Sequence, residues 1–247
     1  MSLPKDQNWL DDEWDDIVIP PSNLLSDEPP LETDLHLRQM LLLISCLEWL
    51  WKDHQNFYCA GNLTIYYSLR QRKSEQFRGP DFFVVLGTER KSRKSWVVWE
   101  EDGKYPNMIV EILSPKTAAT DRGLKKQIYQ DIFRTPDYFW FDPVSLEFKG
   151  FQLVAGQYQD LLPNSQGWLW SQQLDLFLGL VNRQLRFFTP TGELVETPAT
   201  LAAIAQEELS ATQQELAIAQ QELARERFQR EQLAARLREL GIDPEAT

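Results

Sequence analysis

Cysteine is nearly absent from this 247-residue chain: Cys46 and Cys59 are its two. Both sit in apolar surroundings with no metal-ligand spacing, so they read as reduced core thiols. A disulfide framework or a thiolate metal centre is not indicated. Long apolar runs are missing as well. The longest, Met40 to Cys46, is far too short to cross a bilayer. The N-terminus is acidic where a secretory leader would carry its positive region. These absences predict a cytoplasmic protein with no membrane span. A surplus of positive charge is lacking too. The formal net charge is −12, which taken whole argues against a nucleic-acid partner. Its distribution changes that reading. Residues 1–34 carry −9 and residues 191–247 carry −6, whereas residues 35–190 carry +3. Two base-rich clusters, Arg70/Arg72/Lys73/Arg78 and Arg90/Lys91/Arg93/Lys94, can attract phosphates, although a solvated loop surface accounts for the same residues.

What the chain does have is core material. The apolar fraction is 43%, with nine Trp, seven Tyr and thirteen Phe, enough for one sizeable domain plus extensions. Residues 1–30 read as an acidic, proline-bearing arm, residues 31–195 as the domain, and residues 196–247 as a long charged helix. Thr33 is placed to cap a helix that runs to about Trp51, with apolar residues at helical spacing. Strands are predicted at Phe57–Tyr67 (interrupted at Gly61-Asn62), Phe82–Leu86, Trp96–Trp99, Pro106–Leu113, Tyr138–Phe141, Phe148–Val154 and Arg183–Phe188. Helices are predicted at Asp121–Phe133, with a break signal at Gly123, and over the short stretch Leu174–Leu180. This order predicts an α/β fold: a mixed central sheet flanked by helices, with a long C-terminal helix. Within residues 200–240, Leu209, Leu216 and Leu223 recur every seventh residue, and the register continues through Arg230 to Leu237. Thr212, Ala219, Glu226, Leu233 and Leu240 are the companion positions. The spacing admits a coiled coil, and with it a homodimer. One long helix folded back on its own domain is the other reading.

Asp81 follows Pro80 and opens a strand. Glu111 interrupts the apolar run Met108-Ile109-Val110-Glu111-Ile112-Leu113. A carboxylate in such a run is heavily penalised by desolvation unless a cation or a buried base faces it. Strand periodicity carries both acids onto one sheet, where they could bind a divalent cation. Asp121, Lys125 and Tyr129 repeat at four-residue spacing on the next predicted helix and share one face. Packed on the sheet, that helix would bring Lys125 back over the carboxylates and turn Lys126 to solvent. Surface support is the plainer reading of the Asp121–Lys125 pair. Glu32 and His36 bracket the start of the first helix; Glu32 could add a carboxylate and His36 could touch phosphate or a metal-bound water.

Pro80-Asp81, Val110-Glu111-Ile112-Leu113-Ser114-Pro115, the Asp121/Lys125/Tyr129 helix and Tyr138-Phe139-Trp140-Phe141-Asp142-Pro143 occur in that order. Over about residues 30–190 the chain resembles the restriction-endonuclease-like family of bacteria, within the PD-(D/E)XK nuclease superfamily. The resemblance implies a restriction-endonuclease-like core in which Asp81, Glu111 and the Ile112 carbonyl hold Mg²⁺ or Mn²⁺. It implies Lys125 as the catalytic amine, Glu32 as the acid before the first helix and His36 as the helical histidine; Tyr129, by its place on the helix face, packs with its hydroxyl directed at the site edge. The superfamily's usual lysine, two residues after the glutamate, is here Leu113. The expected activity is divalent-metal-dependent hydrolysis of DNA phosphodiesters. The competing expectation is a non-catalytic nucleic-acid-binding or oligomeric scaffold protein with a vestigial site.

Overall fold

The structure, a computed structural model, describes residues 33–68, 77–114 and 118–241. The acidic arm, Glu32, Arg70, Arg72 and Lys73 therefore lie outside the described residues. The chain divides into two compact units, Met1–Val195 and Glu196–Thr247.

The first unit opens with α1 (Asp34–Leu50), whose N-terminus is capped by the Thr33 hydroxyl accepting from the His36 N–H. Then come β1 (Phe57–Ala60), β2 (Ile65–Tyr66), β3 (Phe77–Arg78), β4 (Phe82–Leu86), β5 (Trp96–Val97) and β6 (Met108–Ile112). A helical stretch follows. It consists of α2 (Ala118–Thr120), a π-turn at Asp121–Lys125, α3 (Lys126–Ile128) and a second π-turn at Tyr129–Phe133. It ends on Arg134, which adopts a left-handed conformation with φ 54°. The remaining strands are β7 (Asp137–Phe141), β8 (Phe148–Val154), β9 (Gln157–Asp160), β10 (Leu169–Ser171), β11 (Leu176–Val181) and β12 (Gln184–Phe188).

The central sheet has the order β1-β4-β6-β7-β8-β9. β6 and β7 pair in parallel and the other neighbours antiparallel, so the sheet is mixed. Its inner strands are covered on both faces, and period-two alternation divides their side chains into two cores. Phe82, Val84, Val110, Phe139 and Phe141 pack with Leu43 and Leu47 of α1 and with Leu178, Leu185 and Phe187 of the β10-β11-β12 sheet. Phe83, Val85, Ile109, Leu113, Tyr138 and Phe151 point the other way, against Ile128, Tyr129 and Phe133 of the helical stretch. Glu111 has the parity of Ile109 and Leu113, so it faces that stretch.

The expected helix over Leu174–Leu180 is a strand instead. Leu174, Leu176, Leu178 and Leu180 alternate, and β11 pairs with both β10 and β12. Neighbouring strands override the ambiguity of a short apolar run. The strand expected at Trp96–Trp99 stops at Val97 and turns into a single 3₁₀ turn, Val98–Glu100. At Gly123 the helical stretch does not break; it continues as a π-turn.

The second unit contains α4 (Pro198–Glu239), 42 residues with none buried. Thr197 caps it by accepting from the Thr200 N–H, and Gly241 stops it with φ 76°. Among the described residues, no helix is long and apolar enough to cross a membrane.

Candidate active site

β4 and β6 run antiparallel with Phe82 opposite Val110. One step further along this register sets Asp81 across from Glu111. The two acids thus come from adjacent strands onto one face. The Ile112 N–H confirms the closeness by donating to Asp81 Oδ2 at 2.7 Å. Gly61 lies against this corner. A Cβ there would meet the Asp81 carbonyl oxygen at 2.7 Å and the Met40 sulfur at 2.4 Å, so only glycine allows the approach.

The helical stretch delivers the amine. Lys125 Nζ lies 3.1 Å from Glu111 Oε2 and 2.9 Å from Asp121 Oδ1. The Tyr129 hydroxyl donates to the other Glu111 oxygen, Oε1, at 2.6 Å. Tyr138 fixes the stretch to the sheet by donating its hydroxyl to the Asp121 carbonyl at 2.9 Å. Residues four apart therefore do meet on one face, and that face is turned inward: Glu111, Asp121 and Tyr129 are completely buried.

α1 supplies the remaining contact. His36 Nε2 lies 2.9 Å from Asp81 Oδ1, and both side chains are almost wholly buried. Gln39, one turn further on, anchors the helix. Its amide donates to the Leu185 carbonyl and accepts the Leu185 N–H, at 2.9 and 3.0 Å, as a strand neighbour would. This side-chain pairing with β12 sets the height of His36 over the site.

The electrostatics follow from burial. Glu111 is taken out of water, and Asp81 and Asp121 lie nearby. Lys125 and the Tyr129 hydroxyl offset this only in part, so its carboxyl is held well above the usual glutamate range. Burial also works against Asp81. The His36 contact, the Lys125 charge and the Ile112 N–H outweigh it, and Asp81 is held below its ordinary value. Burial disfavours the Lys125 ammonium as well, but three carboxylates reverse that and raise its pKa. Tyr129 is pushed up by burial and by Glu111, so it remains a proton donor. The result is a buried centre with an excess of acids around one ammonium. Among the described residues, no group of three or more His, Cys, Asp and Glu side chains is gathered so as to hold a metal by itself.

Of the six residues named from the sequence as catalytic, Asp81, Glu111, Lys125, His36 and Tyr129 converge here, and Glu32 lies outside the described residues. Asp121, expected as surface support, is buried instead, with its Oδ1 2.9 Å from the Lys125 ammonium; its four-residue spacing from Lys125 is the signal in the sequence. Lys126 is not solvent-facing as expected. Its ammonium sits over the rings of Phe151 and Trp140, with centroids at 3.4 and 5.5 Å. Three members of the second base-rich cluster are engaged within the fold. Arg93 makes a two-pronged pair with Glu101, Arg90 donates to the Trp51 and Lys52 carbonyls, and Lys91 pairs with Glu89. These contacts leave less of that surface to attract phosphates, and the Arg93 side chain is buried against Glu101 rather than solvated.

The family model Uma2, described as "Putative restriction endonuclease", matches residues 24–186. Among solved structures, the chain is similar to one described as "a putative nuclease belonging to DUF820 from Anabaena variabilis ATCC 29413". Identity is 13% and the TM-score 0.44, over 59% of this chain and 76% of that one. No curated protein matches the chain.

Proposed function

The chain belongs to the Uma2 family, and from that premise we propose that it is an endonuclease hydrolysing DNA phosphodiesters with the help of Mg²⁺ or Mn²⁺. One observation carries the reading: Lys125 reaches Glu111 from a separate helical element, while Asp81 stands opposite Glu111 on the neighbouring strand. Asp137, another buried acid of the sheet, is held differently: its Oδ2 accepts from two neutral donors, the Ser171 hydroxyl and the Gln173 N–H.

The donor set suits a hard cation. Asp81, Glu111 and the Ile112 carbonyl offer oxygen only, which fits Mg²⁺ or Mn²⁺ rather than zinc. Two carboxylates are enough for such an ion, because water and substrate phosphate complete its shell. The buried acidic excess is the complementary charge. When bound, the ion polarises the phosphodiester and lowers the pKa of a water molecule.

The protein's own groups do the rest. Lys125 orients the attacking water and stabilises the charge growing on phosphate. Asp121 keeps the Lys125 ammonium charged and aimed. Tyr129 fixes the Glu111 carboxylate by one oxygen and leaves the other to Lys125. His36 and the Ile112 N–H hold Asp81 in place. Leu113, where the superfamily usually has its lysine, is packed into the core with Ile128 and Tyr129, so the amine comes from the helix instead. The product would keep a 5′-phosphate.

Calorimetric titration with Mn²⁺ tests this reading without measuring cleavage. The expected result is saturable binding to the wild type and none to Asp81→Ala. Absence of binding to the folded wild type would favour the vestigial, scaffold reading.

A further inference from the structure

α4 presents a long helix with its leucines in water. It extends about 63 Å, at 1.5 Å per residue over its 42 residues. Leu209, Leu216, Leu223 and Leu233 are each about half exposed or more, at 52, 58, 49 and 61%. Leucine every seventh residue makes a seam that a second helix buries. Two features of the same helix identify that second helix and its direction.

The first is charge segregation. Residues 198–222 hold four glutamates and no base, while residues 223–239 hold five arginines and three glutamates. Two copies side by side in the same direction would set acid against acid. Two copies in opposite directions, overlapping through residues 216–240, place the two acidic halves at opposite ends of the pair.

The second is the placement of the two charged residues in the seam. Glu226 and Arg230 occupy seam positions four residues apart. In a parallel pair each stacks on its own copy, giving a layer of two acids and a layer of two bases. In an antiparallel pair centred on residue 228, Glu226 of one copy meets Arg230 of the other, twice by symmetry. The same register sets Leu223 against Leu233, Leu216 against Leu240 and Ala219 against Leu237. Every seam position from residue 216 to 240 then has an apolar or oppositely charged partner.

We infer that α4 binds a second copy of this chain as an antiparallel two-stranded coiled coil, registered by reciprocal Glu226–Arg230 pairs. This inference is independent of the nuclease reading.

Full-length protein tests it in two ways. The wild type should sediment as a dimer at micromolar concentration. E226R should weaken dimerisation at least about tenfold, and E226R with R230E should restore it to within about threefold. Direction is read by oxidation. L223C/L233C should give a disulfide-linked dimer, and L223C alone should not. Within one helix these positions are about 15 Å apart, beyond the roughly 7 Å that a disulfide spans, and the native Cys46 and Cys59 are buried. A monomeric wild type, or crosslinking by L223C alone, would overturn the inference.

Discussion

Replacing Lys125 by alanine is expected to lower the rate of divalent-dependent DNA cleavage by roughly 10²–10³-fold, the usual loss when one preorganised electrostatic group is removed. The ammonium lies 3.1 Å from Glu111 and 2.9 Å from Asp121, and its side chain is only 18% exposed. Removing it leaves buried carboxylates without their cation. The same variant should therefore lose about 3 kcal/mol of stability, read by urea denaturation in chelator. K125R separates the two effects. A guanidinium keeps the charge and can pair with both acids, so most of the stability should return. It cannot reproduce a compact ammonium that orients water, so cleavage should stay at least about tenfold down. Wild-type cleavage by K125A would remove the amine from the mechanism.

Glu111→Gln should do the opposite to stability while also abolishing cleavage. Glu111 is completely buried, and burial together with Asp81 and Asp121 raises its carboxyl well above the ordinary 4.5. A group raised in the folded state supports folding below its unfolded pKa and withdraws that support as pH rises toward the folded value. The wild type should accordingly lose stability on going up from about pH 4.5. The glutamine variant lacks that titration. Its advantage should be absent below about pH 4.5 and reach on the order of 1–2 kcal/mol at neutral pH, typical of relieving a functional site. Thermal unfolding across pH in chelator measures the difference. A variant less stable than the wild type at pH 7 would mean that Glu111 is a structural salt-bridge partner. The site would then have been built for the pair and not for a cation.

Much of this was legible in the sequence because the informative residues break local rules. Glu111 in an unbroken apolar run is costly unless partnered, and the partner is found on the next helical element. Thr33, Gly61-Asn62 and Gly241 mark boundaries through their own chemistry: a side-chain cap, a turn and a left-handed stop. The alternation of Phe82, Phe83, Val84 and Val85 between two cores follows from strand period alone. What stayed hidden depended on tertiary context. Leu174–Leu180 is apolar enough for either helix or strand, and only pairing with β10 and β12 decides. An Asp–Lys pair at four-residue spacing looks the same on a surface and in a core, and only the packing of the helical stretch on the sheet, where Tyr138 holds the Asp121 carbonyl, decides. Helical geometry alone turns Lys126 to solvent, but aromatic faces on the sheet attract it. Arg93 has the look of a loop charge in the sequence, because its partner Glu101 lies across a turn that spacing alone does not close.

The most direct test is a crystal soaked in Mn²⁺ and measured at the manganese edge. One anomalous peak is expected between Asp81 and Glu111, within ligand distance of a carboxylate oxygen of each. A fully occupied peak elsewhere, or none with both carboxylates still held by His36, Lys125 and Tyr129, would contradict it.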